Sequence, residues 1–416
     1  MKILNFGSCN VDTVYGVKHI VQGGETLGIS SLNQFPGGKG LNQSIALARA
    51  RVKVYHAGCV GKEDTKLTSL MQQAGIDVTY LKKVEKQTGQ AFIQLDENGQ
   101  NAILVYAGAN AEVTTDYIDE VLGNFEEGDI LLIQNEISNT LYLIEKAAEK
   151  EMRIILNPSP FTDELRKIDL NKLYCVILNE TEAAQWVRTG KPYDFISYAY
   201  EQYKDLKVIL TLGRSGSIYL DNQNIYRQFA YKLPTVDTTA AGDTFTGYFV
   251  AGLYRGESAK TTLKNASAAA ALAISREGAA TSIPMLSEVL ECVETLTPNI
   301  NENFLEQKEL VKTYIVCNIA DIKLKDVADL LGYTEAHTSR WIRKNFGMSF
   351  SEFMQNERCE TAADLLRNSR MPIGEIIYKV GYQNETFFRK MFMKKYNISP
   401  GAYRKRETDK RGKVNG

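Results

Sequence analysis

Several familiar features are missing from this sequence, and each absence removes a class of function. No apolar run in the 416 residues approaches the roughly 18 that a membrane-crossing helix needs. The opening stretch, MKILNFGSCNVD, lacks the basic-then-apolar shape of a secretory signal. The six cysteines stand at 9, 59, 175, 292, 317 and 359, and no two form a CxxC pair. That spacing argues against a zinc site or a disulfide framework and fits a reducing, cytoplasmic location. The spacing G-x-x-x-x-G-K-[ST] is missing as well. Gly37-Gly38-Lys39-Gly40 opens a helical segment, but it is not a P-loop.

Net charge is nearly absent too, at −1, but this small sum hides an asymmetry. Residues 305–416 hold 21 Lys+Arg against 14 Asp+Glu, a balance of +7, and the remainder carries −8. A basic region on an acidic body suggests two tasks, one of them at a polyanion. Length fits two or three domains. A hydrophobic content of 44% and a charged content of 24% are those of a soluble globular protein.

Up to residue 296, strand-like and helix-like segments alternate. Strands are predicted at 2–9, 55–60, 130–134, 153–157, 175–178, 208–212 and 217–219, and helices at 41–51, 65–74, 140–151, 243–254, 261–275 and 286–296. Such alternation predicts a mostly parallel sheet wrapped by helices. Segments 10–36 and 90–107 lack intervening helices and are predicted to pair as a small separate antiparallel sheet. Residues 297–304 (TPNINENF) have linker composition. Beyond them only helices are predicted, over 305–406, followed by a basic tail at 407–416.

The stretch Val236-Asp237-Thr238-Thr239-Ala240-Ala241-Gly242-Asp243-Thr244-Phe245 organises the first part. It joins an expected extended segment, 231–236, to a helix. Small residues at 240–242 let backbone N–H groups crowd at the helix start, which makes an anion site. Asp243 at its lip fits two roles equally on these ten residues. It is either a helix cap or the base that takes a proton from an attacking hydroxyl. Upstream, Asn10-Val11-Asp12 leaves a strand end, where ligands sit in α/β sheets. Asn10, Asp12 and Asn42 offer the donors and acceptors that sugar hydroxyls need, and each taken alone also fits a turn or a cap.

These motifs, with Ala107-Gly108-Ala109-Asn110, Asn179-Glu180-Thr181-Glu182 and Thr211-Leu212-Gly213, resemble the ribokinase family of carbohydrate kinases, the PfkB superfamily, over the first ~300 residues. The resemblance implies an α/β doubly wound sheet with a small β lid, an ATP-dependent phosphorylation of a sugar such as D-ribose, and a homodimer joined through the lid. It implies that Asp243 is the base and that amides of Ala240, Ala241, Gly242 and Asp243 form the anion hole. The sugar would meet Asn10, Val11, Asp12, Gly38, Lys39, Gly40, Leu41, Asn42 and Glu136. ATP would lie along Asn179, Thr211, Leu212, Gly213, Arg214, Ser215, Gly216 and Ser267, with Mg²⁺ ordered near Glu182. A K⁺ site would use Asp237, Thr239, Ala273, Arg276, Gly278 and Ser282. Two departures stand out. Ala240 replaces a usual Gly, and Ser267 stands where relatives often place Asn or His.

The last part holds two similar units, 324–333 (LKDVADLLGY) and 373–382 (IGEIIYKVGY), each followed at once by a basic helical segment. A short Gly-containing turn between two helices is helix-turn-helix chemistry. A solvated basic face on a bundle would account for one such unit but not for two. This part resembles the DNA-binding domain of AraC-type regulators over its last ~100 residues, with 350–366 as the linking helix and 397–404 as the C-terminal signature. The resemblance places DNA contacts on Ala336, Ser339 and Arg340, then on Glu385, Thr386, Arg389 and Lys390. Glu385 would read a cytosine amine or organise a neighbour. Such regulators usually carry a sugar-sensing barrel, and here the kinase-like part occupies its place. The expectation is an active kinase that also regulates transcription at a double-stranded operator. The rivals are a catalytically weak sugar or nucleoside sensor, and a plain enzyme with a vestigial tail.

Overall fold

Apolar runs such as ILLIQ at 130–134, buried at every position, form strands covered on both faces, which is what a parallel sheet requires. In the computed structural model, residues 1–222, 224–300 and 304–414 are described, and the chain divides into two units, Met1–Asn301 and Glu302–Gly416. Residues 301–303 of the expected linker and 415–416 of the expected tail lie outside the described residues.

The strands of the first unit are β1 (Ile3–Phe6), β2 (Asn10–Val17), β3 (Ser31–Gly37), β4 (Tyr55–Gly61), β5 (Leu81–Val84), β6 (Gly89–Asp96), β7 (Asn101–Tyr106), β8 (Ile130–Gln134), β9 (Arg153–Asn157), β10 (Cys175–Asn179), β11 (Lys207–Thr211), β12 (Ser217–Leu220) and β13 (Ile225–Gln228). Nine of them form one sheet in the order β13-β12-β11-β10-β9-β8-β1-β4-β5. It is parallel except at the edge, where β12 and β13 run antiparallel. Its helices are α1 (Lys39–Arg49), α2 (Thr65–Gln73), α3 (Thr115–Leu122), α4 (Thr140–Glu149), α5 (Glu180–Val187), α6 (Tyr193–Gln202), α7 (Ala241–Tyr254), α8 (Ala259–Ile274) and α9 (Leu286–Cys292). Helix α7 packs between α1 and α8. Gly247 permits the first contact, since a Cβ there would lie 2.4 Å from that of Ala46.

The remaining strands form a second sheet, β3-β2-β6-β7, and correct one expectation. Its two hairpins are antiparallel, but they join through a parallel pair, with Asn10 opposite Gly89. The reason is topological. β2 follows β1, β6 follows β5, and β1 and β5 point the same way in the large sheet. Several boundaries also move. The predicted strand 2–9 ends at Phe6 and a new one starts at Asn10. Residues 231–236 form no strand, only a bridge from Tyr231 to Pro298. The last helix stops at Cys292 instead of 296.

The second unit is helical throughout: α10 (Phe304–Cys317), α11 (Leu324–Leu331), α12 (Glu335–Phe346), α13 (Phe350–Asn368), α14 (Ile373–Lys379), α15 (Glu385–Tyr396) and α16 (Pro400–Val414). Gly332, at φ 69°, closes α11, and Gly381, at φ 87°, sits in the turn after α14. Both take the left-handed backbone that ends helices. Gly381 lies so close to the α10–α11 loop that a Cβ would be 2.3 Å from the Ala320 carbonyl. Arg358 of α13 donates to that same carbonyl (2.8 Å) and to that of Ile319 (3.1 Å). These contacts set one helix pair against the other. Phe388 and Phe392 of α15 are fully buried against Ala362, Leu366, Ile376 and Tyr403. Among the described residues no helix is long and apolar enough to cross a membrane.

Candidate functional site

The site of the first unit grows from two helix starts and one strand start. Helix α1 begins after Gly38, whose φ of 95° suits glycine alone among common residues. Helix α7 begins after Ala240, at φ 59° and also left-handed. This turn gathers the first amides of α7, which have no partner within the helix. Asp243 projects from that first turn and is buried. Asn42 Nδ2 donates to its Oδ2 (3.0 Å), and Gln43 Nε2 donates to its Oδ1 (2.9 Å).

Opposite stands a group of charges. Glu136 accepts from the Ser8 hydroxyl and from the Lys39 backbone N–H (3.0 Å). Burial pushes its carboxyl above the usual range, although Lys39 opposes that shift. Burial alone would lower the Lys39 ammonium, but Asp243, Glu136 and Glu182 together raise it. Asp12 reaches in from the lid. Burial first, then Glu136 and Asp243, push its carboxyl up to about 7. Its Oδ1 is buried without a partner, and so is the Oδ1 of Asn42. Beside it, Asn10 Oδ1 accepts from Asn110 Nδ2 (2.8 Å). The result is a polar cradle with one cation, several carboxylate and amide oxygens, and two unsatisfied acceptors.

Two further segments border the sheet's carboxyl ends. Asn179 and Glu182 form the capping box of α5, each side chain accepting from the other's backbone N–H (2.9 Å). Burial raises the Glu182 carboxyl. Residues Gly213–Ser215 form a short 3-10 turn, and Gly216 at φ 97° touches the backbone of Gln228 and Ala230. Asp237 ties its own loop together. It accepts from Thr239 N (2.8 Å) and Oγ1 (2.6 Å), and from Gly278 N (3.1 Å).

In the second unit, Thr334 caps α12 and Asn384 caps α15. Ala336, Ser339 and Arg340 are exposed on α12, and Thr386, Arg389 and Lys390 are exposed on α15. Arg340 and Lys390 each lie six residues past their cap, so they occupy equivalent places. Glu385 pairs with Arg389 at 3.3 Å.

The sequence pattern of the pfkB family carbohydrate kinases matches residues 1–286. The chain belongs to that family. A helix-turn-helix domain pattern matches residues 327–406, so the pfkB kinase carries an AraC-type helix-turn-helix domain behind it. It is similar to the ribokinase of Haemophilus influenzae, 32% identical over 308 residues, covering 69% of this chain and 97% of the relative. It is also similar to that of Schizosaccharomyces pombe, 33% identical over 312 residues, covering 70% and 96%. Among solved structures it resembles ribokinase from Cryptococcus neoformans in complex with ADP, with a TM-score of 0.64 and 32% identity, covering 70% of this chain and 98% of that one. The Thermotoga maritima ribokinase gives 0.63 and 32%, covering 71% and 100%.

Within this pfkB kinase the structure links Asp12, Lys39, Asn42, Glu136 and Asp243 through hydrogen bonds and charges, and Asn10 bonds to Asn110. Val11 is counted among those expected to meet sugar, but it lines a separate cavity with Thr13, Lys62 and Thr88. The alternation of a strand explains this, since Asn10 and Asp12 share one face and Val11 takes the other. Leu41 is fully buried in the core. Ser267 is buried in α8. Sequence reasoning passed over Ser8, Gln43, Asn110, Gln134 and Asn157 as site residues. Ser8 and Asn110 lay inside quoted stretches and Gln43 follows Asn42, but nothing in a linear pattern says that the Gln43 amide will face a carboxylate 200 residues away.

Proposed function

We propose that the first unit transfers the γ-phosphoryl group of ATP to the primary hydroxyl of an unphosphorylated pentose, D-ribose to ribose 5-phosphate, and that the second unit binds a double-stranded DNA operator. One observation carries the first half: Asp243, held by two amides at the amino end of α7, faces a cradle with unpaired buried oxygens on Asp12 and Asn42. Unpaired buried acceptors call for hydroxyl donors. Asp243 takes the hydroxyl proton, and the amides of 240–243 hold the charge that develops on the phosphate. Asn10, Asp12, Gly38, Lys39, Gly40, Asn42 and Glu136 hold the sugar. Thr211, Leu212, Gly213, Arg214, Ser215 and Gly216, with Asn179 and Ser267, line the nucleotide. The ribokinase of Arabidopsis thaliana, complexed with ribose and ATP, is 25% identical with a TM-score of 0.60. This likeness supports the assignment.

Mg²⁺ fits near Glu182 through water, because among the described residues no cluster of three His, Cys, Asp or Glu side chains could hold a metal directly. When bound it would shield phosphate charge. K⁺ fits the oxygens of Asp237, Thr239, Ala273, Arg276, Gly278 and Ser282. Gly278 and Asp237 are hydrogen bonded, and Val236 and Asp237 both donate to Ile274 O (2.8 and 3.2 Å), which places the two loops side by side. The lid edge β7 exposes Leu104 (70%) and Val105 (65%). An open apolar edge calls for a cover, and a second copy of the lid supplies one.

The test is a kinetic panel of ribose, deoxyribose, a nucleoside and fructose 6-phosphate with ATP, Mg²⁺ and K⁺. Ribose gives the highest kcat/KM, and preference for fructose 6-phosphate would overturn the reading. Asp243→Asn lowers kcat by roughly 10²–10⁴-fold.

A further inference from the structure

Asp243 sits at one end of a buried chain of amides. Gln43 Nε2 donates to Asp243 Oδ1 (2.9 Å) and to Asn157 Oδ1 (3.0 Å). Gln43 Oε1 accepts from Gln134 Nε2 (2.6 Å), which also donates to Asn5 Oδ1 (3.0 Å). Asn5 Nδ2 then donates to Gly40 O (2.7 Å) and Ser44 Oγ (2.8 Å). Ser44 Oγ meets His56 Nδ1 (2.8 Å), and His56 Nε2 faces Cys9 Sγ (3.4 Å). Asn5, Gln43, Ser44, His56 and Gln134 are all fully buried. They come from β1, α1, β4 and β8, so the chain crosses the sheet under the site.

The sense of every hydrogen bond is fixed from both ends. A carboxylate and a backbone carbonyl can only accept. Asp243 therefore turns the Gln43 NH₂ toward itself, which leaves the Gln43 carbonyl facing Gln134. Gly40 O turns the Asn5 NH₂ toward itself, which leaves the Asn5 carbonyl facing the same Gln134 amide. Ser44 receives from Asn5, so its own proton goes to His56 Nδ1. His56 is then the neutral Nε2–H tautomer, and burial depresses its pKa to about 4. Flipping Gln43, Gln134 or Asn5 would set donor against donor or acceptor against acceptor in a buried site, which is costly; the Gln134 Oε1 itself is buried without a partner.

We infer that Gln43 is a positioning residue for Asp243, and that the Gln134–Asn5 chain behind it fixes the rotamer of that carboxylate. This rests on the reading of Asp243 as the base. The chemical logic is that a neutral donor stabilises a carboxylate in a dry site without placing a second cation beside it, where it would compete for the phosphate. Asn42 supplies the other donor but also borders the sugar, with an unpaired oxygen of its own. Gln43 has no such unpaired oxygen, and its amide is spent on Asp243, Asn157 and Gln134.

The test compares Gln43→Met, Gln43→Glu and Gln134→Met with Asp243→Asn in the full-length protein. Losing a donor removes a hydrogen bond that favours the charged form of a carboxylate. In Gln43→Met kcat falls about 10–100-fold, KM for sugar and ATP stays within about twofold, and the acid limb of the kcat profile moves up by about half a unit or more. Gln43→Glu keeps the shape but sets two carboxyl oxygens together, so its acid limb moves further. Gln134→Met shifts it the same way by less. If Gln43→Met does not fold, the other two variants decide by the order of their limbs. A common acid limb for parent and variants, or a raised KM with kcat unchanged, overturns the inference. Asp243→Asn at the parental rate would instead remove the base reading itself.

Discussion

Gly7 and Gly40 meet backbone to backbone: a Cβ on either residue would lie 2.6 Å from the Cα of the other. This contact lets the start of α1 lie against the end of β1, and it carries Lys39, Asn42 and Gln43 to the site. For Gly40→Ala the nearest atoms are backbone as well, Ser8 N at 2.4 Å and Gly7 C at 2.5 Å, so no rotamer relieves the clash. The substitution costs about 1–3 kcal/mol and raises the sugar KM, as chemical denaturation and steady-state kinetics would show. A parental denaturation curve would mean that the two segments separate easily.

Ala240 precedes α7 in a left-handed conformation, at φ 59°, which costs a residue with a Cβ roughly 1–2 kcal/mol. Part of this is offset by the smaller entropy that alanine loses on folding. Ala240→Gly therefore stabilises the kinase unit by up to about 1 kcal/mol, read as a higher denaturation midpoint. The anion hole keeps its geometry, so kcat stays within about twofold.

In the proposed sugar site, Asp12 brings a pH dependence near neutrality. Its folded pKa is about 7, against about 3.9 in an unfolded chain. Its contribution to stability is fully present below pH ~4 and is lost as pH rises through ~7. Asp12→Asn therefore stabilises the protein at pH 8 and leaves it unchanged at pH 4. Sugar hydroxyls donate to the ionised form, so the parental KM for sugar falls between pH 6 and 8, by at most about tenfold per unit. In Asp12→Asn that slope disappears and sugar binds more weakly. A KM that is flat with pH in the parent would contradict this account.

The DNA-binding unit offers two recognition helices. Helix α13 has 19 residues, about 28 Å at 1.5 Å per residue, and adjacent major grooves on one face of B-DNA lie about 34 Å apart. The expectation is that one protomer reads two successive grooves of an asymmetric site. Arg340→Ala relaxes one half-site and Lys390→Ala the other, each by about 1–3 kcal/mol where the contact is bidentate to guanine or its lysine equivalent. Glu385→Gln frees Arg389 from its pair and steepens the salt dependence of binding. Footprinting on the DNA upstream of the protein's own operon, with and without ribose, is the measurement. A footprint one groove long, weakened throughout by either substitution, would sink the two-groove arrangement. A footprint that ribose does not alter would separate the kinase unit from any sensing role, because a ligand indifferent to two states shifts neither.

Much of this protein was legible in its linear sequence. The alternation of apolar runs and amphipathic helices announced the parallel sheet. The small residues before Asp243, Gly38 before α1, and the paired Gly-Tyr turns at 332 and 381 each mark a backbone geometry that few residues adopt. Local sterics write such features into neighbouring residues, so a pattern can show them. The parallel join between β2 and β6, the burial of Leu41 and the turning away of Val11 depend on how distant strands leave the large sheet. The chain from His56 through Asn5, Gln134 and Gln43 to Asp243 draws on residues from 5 to 243, a span of 238 positions, and every member before Asp243 is, taken alone, an unremarked polar residue. Only folding makes it a unit, because burial removes water as an alternative partner and leaves the amide N–H groups to find their acceptors in other elements.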